Sequence, residues 1–138
     1  KNHRLMVSPV NALCGLEVDV NDFIDALPIL AVVGCFATGE TILKNAAVAR
    51  LKESDRINAM ATELKKMGAD IEARSDGLVI RQSQLRGIEV ESYQDHRIAM
   101  SLAVAGLIAT GETVVNDVAC IDKSYPGFSE MLLGSKFD

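Results

Sequence analysis

Four short clusters in this chain carry residue types suited to binding anions and moving protons. Lys52-Glu53-Ser54-Asp55-Arg56 sets two cations and three hydrogen-bonding groups into five residues. Asp95-His96-Arg97, Asp122-Lys123-Ser124 and the single acid Asp25 are the others. Arginine and lysine neutralise phosphate and carboxylate, and arginine's fork binds two oxygens at once. Carboxylates and histidine supply and remove protons. Each cluster also has a plain reading. Asp25 and Asp95 cap a helix, Glu53 pairs with Arg56 or Arg50, and Lys52 and Lys123 are solvated lysines. Arg97 pairs with a surface carboxylate, and His96 bonds backbone while half-buried. What separates the readings is whether the fold brings the clusters together.

The elements that would position them are legible from periodicity. Ile57, Met60, Ala61, Leu64 and Met67 recur at three- and four-residue steps, so they share one face of an amphipathic helix. Ser54 is the expected N-cap, with Asp55 at the positive end of the dipole and Gly68 as the C′ residue. Lys52 and Arg56 oppose that dipole, and cations beside free N–H groups look like an anion site. Ala26–Ala37 and His96–Ala109 are apolar nearly all round, which predicts buried helices, each closed by Thr-Gly. Both are short of the roughly 20 residues a bilayer requires. Strands are expected at Leu5–Val7, Leu16–Val20, Glu40–Leu43, Ile88–Glu91 and Glu112–Asn116. A hairpin is expected about Ser75-Asp76-Gly77, and a last amphipathic helix from Phe128.

The two halves match. Leu30–Thr41 aligns with Leu102–Thr113, 72 residues on, and nine of the twelve pairs are identical. This is an internal repeat. One unit reads strand, buried helix, strand, connection, amphipathic helix, strand, strand, and the second copy runs out after its amphipathic helix. Parallel copies put equivalent loops at one end, which would gather four cations and at least two carboxylates.

The bulk numbers narrow the class. At 138 residues the chain is one domain in size, and its net charge of −5 argues against a nucleic-acid surface. Cys14, Cys35 and Cys120 are odd in number and widely spaced, as reduced thiols in a cytosol-like compartment would be. No His/Cys cluster has metal-ligand spacing, so no metal and no cofactor is expected. A first residue other than methionine suggests a piece of a longer protein.

Taken together, Arg50–Arg56 with Ala61–Leu64 and Gly68, Asp95–Met100, Lys123–Phe128 and the lead-in Val18–Asp25 resemble the enolpyruvyl transferase family. The likeness is to its 5-enolpyruvylshikimate-3-phosphate synthase branch. It spans nearly the whole chain, and only about the C-terminal third of such a synthase. It implies an α+β fold, an inside-out α/β prism of repeated βαβαββ units around buried helices. Unit one would run about 14–86 and a clipped unit two about 87–138, with the N-terminal domain absent. It implies transfer of the enolpyruvyl group of phosphoenolpyruvate to the 5-hydroxyl of shikimate 3-phosphate, releasing phosphate. That is a step of the shikimate pathway toward aromatic amino acids, in the cytoplasm or a plastid. Carried over by position, Asp25 is the base for the hydroxyl and contacts shikimate 3-phosphate. Glu53 shuttles a proton to the methylene carbon, and Lys52 contacts shikimate 3-phosphate. Arg56, His96, Arg97 and Lys123 form the phosphoenolpyruvate clamp. Without its other domain the chain is expected to be inactive. The alternatives are the branch acting on UDP-N-acetylglucosamine, a non-catalytic anion-binding module, and a purely structural repeat protein.

Overall fold

The computed structural model describes Met6, Ser8, Pro9 and residues 11–134. Of the expected first strand, Leu5 and Val7 lie outside the described residues. The rest form an α+β architecture of two sheets with four helices. The strands are β1 (Glu17–Asp19), β2 (Glu40–Lys44), β3 (Asp70–Arg74), β4 (Gly77–Arg81), β5 (Glu89–Glu91) and β6 (Val114–Asn116). The helices are α1 (Leu27–Phe36), α2 (Arg56–Lys66), α3 (His96–Ile108) and α4 (Phe128–Gly134). The larger sheet has the order β1-β2-β4-β3, and the smaller pairs β5 with β6.

Both sheets begin the same way. β1 runs parallel to β2 across the crossover helix α1, and β5 runs parallel to β6 across α3. A parallel pair needs such a connection, and an apolar helix that covers the sheet supplies it. The backbone repeats in detail. Gly15 N–H donates to Thr38 O and Gly87 N–H to Thr110 O, each at 2.8 Å. Gly39 and Gly111 both adopt positive φ where helix turns into strand, at +85° and +92°. After β2 the chain makes a single-turn segment (Ala47–Leu51), then α2, then the β3–β4 hairpin, which closes on β2 antiparallel through β4.

Helix α1 packs on α3, and α2 packs on both and on β3. The core is where they meet. Ile57, Met60, Leu64 and Met67 are fully buried against Leu27, Ala31, Cys35, Ile98 and Leu102. Each of the Ile, Leu and Met side chains here contributes about 1.5–3 kcal/mol by leaving water. The expected α2 face is therefore the packed face, with Ala61 half-buried at its edge.

Two expectations need correction. α1 is not buried all round, because Ile29 and Val33 are 36% and 40% exposed. The helix is covered by the sheet on one side and by α2 and α3 on another, and no described element covers its third side. Leu107 and Ile108 of α3 are exposed for the same reason, at 59% and 56%. Nor is Ser54 the N-cap of α2. Asp55 caps it, accepting from Asn58 N–H at 3.0 Å. Arg50 fixes that choice by donating to Asp55 Oδ2 at 2.7 Å, while the Ser54 hydroxyl donates to Asp95.

The close approach at Gly15 gives a direct test of the repeat's packing. A Cβ there would sit 2.3 Å from Glu40 O, and one at Gly87 would sit 2.2 Å from Glu112 O. Neither obstacle is a flexible side chain, so Gly15→Ala and Gly87→Ala should each cost about 1–3 kcal/mol. Urea unfolding midpoints measure this, and unchanged midpoints would contradict the packing.

Candidate functional site

Three helix starts meet at one end of the core. A 3-10 segment (Asn21–Ala26) feeds α1 and delivers Asp25 beside it. Asp95 caps α3, its Oδ1 accepting from Arg97 N–H at 3.0 Å, so the next turn presents His96 and Arg97. Asp55 caps α2, which makes Arg56 its first residue. Arg50 braces that start from behind. It donates to Ser75 O at 2.9 Å and Arg74 O at 2.6 Å, tying the β3–β4 turn to the Asp55 cap.

Arg56 is the hub. Its side chain is 1% exposed, and its guanidinium donates to three carboxylates. Nε reaches Asp95 Oδ2 at 2.8 Å and Nη1 reaches Asp25 Oδ1 at 2.8 Å. Nη2 reaches Glu53 Oε2 at 2.6 Å and Asp95 Oδ1 at 3.2 Å. Of the five donors an arginine has, four are engaged. A buried guanidinium without such partners would be prohibitive, and so would a buried Asp95 carboxylate without Arg56. Around this inner pair lies an outer ring open to water. Asp25 forms ion pairs with Lys52 Nζ at 3.4 Å and with Arg97 Nη2 at 3.2 Å, and its side chain is 45% exposed. Glu53 is similarly open. Asp25 and Arg97 also line a cavity of about 180 Å³ with Ile29, Met100, Ser101 and Val104.

The electrostatics follow from this crowding. Burial pushes the Asp95 carboxyl up, but the Arg56 hydrogen bond and charge, the Arg97 amide and the Ser54 hydroxyl outweigh it. The group sits below its ordinary 3.8. Asp25 also sits below 3.8, because hydrogen bonding from Arg56 and the charges of Arg97, Lys52 and Arg56 overcome its desolvation. Arg56 is pulled down by burial and raised further by its carboxylates, so it stays charged. An anion entering the cavity meets cations that already hold Asp25.

The structure thus brings Asp25, Lys52, Glu53, Arg56 and Arg97 into one ion-pair cluster. His96 and Lys123 are not joined to it. His96 is half-buried on α3, and its side chain takes part in none of the hydrogen bonds or ion pairs of the cluster. Lys123 ends a 3-10 segment (Val118–Lys123) and lines a separate cavity of about 260 Å³ with Gln94, Asp117, Ala119 and Cys120. Several participants were not singled out for the site in the sequence. Asp95 was expected as a cap, and its buried pairing with Arg56 was not foreseen. Arg50 and Ser54 act through contacts far along the chain. Tyr93 and Gln94, both at φ +55°, form a left-handed turn ahead of Asp95 that costs about 1–3 kcal/mol per residue. The Tyr93 hydroxyl donates to the buried Glu63 at 2.8 Å. In the sequence Glu63 stands only within the Ala61–Leu64 stretch that carries the family resemblance, with no role of its own.

Comparison with known proteins bears on this site. The sequence model of the family described as "EPSP synthase (3-phosphoshikimate 1-carboxyvinyltransferase)" matches residues 1–132. A 3-phosphoshikimate 1-carboxyvinyltransferase of Ruminiclostridium cellulolyticum is 56% identical over 119 residues, covering 86% of this chain and 28% of that protein. One from Methanocaldococcus jannaschii is 44% identical over 133 residues, covering 96% of this chain and 31% of that protein. Among solved structures, an EPSP synthase from Acinetobacter baumannii superposes with a TM-score of 0.83 at 38% identity. That match covers 89% of this chain and 30% of the other. The chain therefore spans less than a third of the length of each of these relatives.

The depressed carboxyls predict how stability responds to acid. Their folded values lie below the unfolded 3.8, so their contribution is whole at pH well above 3.8. It is lost as the pH falls below 3.8 and through the folded values. Urea midpoints taken from about pH 6 to about pH 2.5 should fall in that window. Asp95→Asn should lower the midpoint at pH 6 and make the acid fall shallower. An equally steep fall in the variant would contradict the assignment.

Proposed function

The chain belongs to the EPSP synthase family, and from that premise we propose that it carries one wall of an enolpyruvyl transfer site. The reaction moves the enolpyruvyl group of phosphoenolpyruvate onto the 5-hydroxyl of shikimate 3-phosphate and releases phosphate. The observation that carries this reading is the meeting of Asp25, Lys52, Glu53, Arg56 and Arg97 from three separate helix starts.

The chemistry assigns them distinct tasks. The addition step protonates the methylene carbon of phosphoenolpyruvate and deprotonates the attacking hydroxyl. Elimination then returns a proton from the methyl group and expels phosphate. Arg56 and Arg97 take the carboxylate and phosphate of phosphoenolpyruvate, with His96 and Lys123 closing on the same anion from α3 and the segment before α4. Lys52 holds shikimate 3-phosphate. Asp25 contacts that substrate and accepts the hydroxyl proton, and Glu53 carries the proton to the methylene carbon. The arrangement of Asp25 favours this order of events. While three cations hold it, it is a poor base. Once the anions draw Lys52, Arg56 and Arg97 toward themselves, its proton affinity rises as the reaction demands.

In this reading residues 14–86 and 87–138 are two strand–helix units of an inside-out α/β prism, the second clipped. They belong to the C-terminal domain of the synthase. The N-terminal domain supplies the opposite wall, further cations and most of the cleft, and the protein works in the cytoplasm. The alternative of a non-catalytic anion module draws on one feature, the engagement of four Arg56 donors by the chain's own carboxylates.

Two measurements test the proposal. The purified chain should release no phosphate from the two substrates by itself, and should do so when combined with a separately made N-terminal portion. Association without turnover would favour the anion module. In the assembled enzyme Arg97→Ala should weaken phosphoenolpyruvate binding by about tenfold or more, the worth of a charge-assisted hydrogen bond. The unfolding midpoint should change little. Unchanged affinity would remove Arg97 from the clamp.

A further inference from the structure

The reaction makes no use of Glu63, yet this is one of the most buried charged groups among the described residues. Its side chain is wholly covered on the packed flank of α2. A carboxylate in that position must be satisfied by donors. Lys66 Nζ reaches its two oxygens at 2.9 and 2.8 Å from the solvent side. The other donors come from the segment that leads into α3. Glu91 N–H reaches Oε2 at 3.0 Å, and the Tyr93 hydroxyl reaches Oε1 at 2.8 Å.

That segment is the strained one. Tyr93 and Gln94 lie side by side in left-handed backbone, which a residue with a Cβ adopts reluctantly. Such a turn persists only where its surroundings hold it. Ser92 holds it from within: its Oγ accepts from Gln94 N–H at 3.1 Å and donates to Asp117 O at 3.0 Å. Glu63 holds it from outside, through Tyr93. The next residues are Asp95, which is locked to Arg56, and Arg97, which reaches Asp25 and the cavity beside it.

We propose that Glu63 and Tyr93 form a positioning pair whose hydrogen bond fixes the left-handed turn, and through it sets Asp95 against Arg56 and aims Arg97 at the incoming anion. Neither residue contacts the anion site; both act through Asp95 and Arg97. The pair suits the task chemically. Partial desolvation of a residue that is still 44% exposed, the Glu63 hydrogen bond and the charges of Glu63 and Glu91 push the Tyr93 phenol up to about 12, so it remains a neutral donor at working pH. The link to anion binding rests on the reading of Arg97 given above; the link to the turn does not.

The test uses the intact chain, labelled with nitrogen-15, and two substitutions. Tyr93→Phe removes one hydroxyl and keeps the ring. It should speed hydrogen exchange at Arg97 N–H and Arg56 Nε–H by about tenfold, the loss of one hydrogen bond. Amides of β3 and β4 should stay within about twofold. Adding Gln94→Gly, which accepts positive φ without strain, should restore slow exchange at both sites. In the assembled enzyme Tyr93→Phe should raise KM for phosphoenolpyruvate about fivefold while kcat changes less than twofold, the pattern of lost ground-state binding. Gln94→Gly should reverse it. Unchanged exchange at Arg97 and Arg56 overturns the proposal. So does equal acceleration across β3 and β4, or a glycine that rescues nothing. If exchange responds and KM does not, the aiming of Arg97 is overturned. A wild-type assembly without turnover overturns the proposed reaction and not the pair, which the exchange measurement decides alone.

Discussion

The guanidinium of Arg56 cannot be buried alone. Removing an arginine from water costs far more than any single contact returns, so carboxylates must come with it. They come from three places in the chain: Glu53 just ahead of α2, Asp25 ahead of α1, and Asp95 at the cap of α3. Meeting that one electrostatic demand therefore pins three helix starts at mutual hydrogen-bonding distance. The hydrophobic face of α2 brings the helices together without direction; Arg56 fixes their register.

The duplication shows how such a cluster can arise. Asp25 and Arg97 stand 72 residues apart, at equivalent positions in the repeat, and they form an ion pair across the α1–α3 contact. In a packing of like units, equivalent residues approach one another. Identical charges there would repel, whereas an acid in one copy and a base in the other attract. The repeated backbone is kept, down to the paired Gly15 and Gly87 contacts, while the side chains at this contact differ in sign.

How much of this could be read from residues alone depends on whether the cause was local. From Leu16 onward the helix and strand order, the Thr-Gly stops and the Ser75-Asp76 hairpin turn come from nearest-neighbour chemistry, and they appear as the pattern says. The gathering of Asp25, Glu53, Arg56 and Arg97 was inferable because the repeat puts equivalent loops at one end. The Asp55 cap was not, because Ser54 and Asp55 are both good caps and distant Arg50 and Asp95 choose between them. The exposure of Ile29 and Val33 was hidden because an apolar pattern does not say whether a neighbour is there to cover it. The left-handed pair Tyr93–Gln94 had no signal at all, since neither residue is a glycine.

The cluster holds as many carboxylates as cations: Asp25, Glu53 and Asp95 against Lys52, Arg56 and Arg97. Opposed charges a few ångströms apart cancel at a distance, and the chain as a whole is negative. Little attractive field therefore extends into solution to guide an anion inward, in contrast to sites that steer their ligands over a Debye length. On the reading proposed above, recognition on this wall is a contact event, in which an arriving oxyanion displaces an internal one.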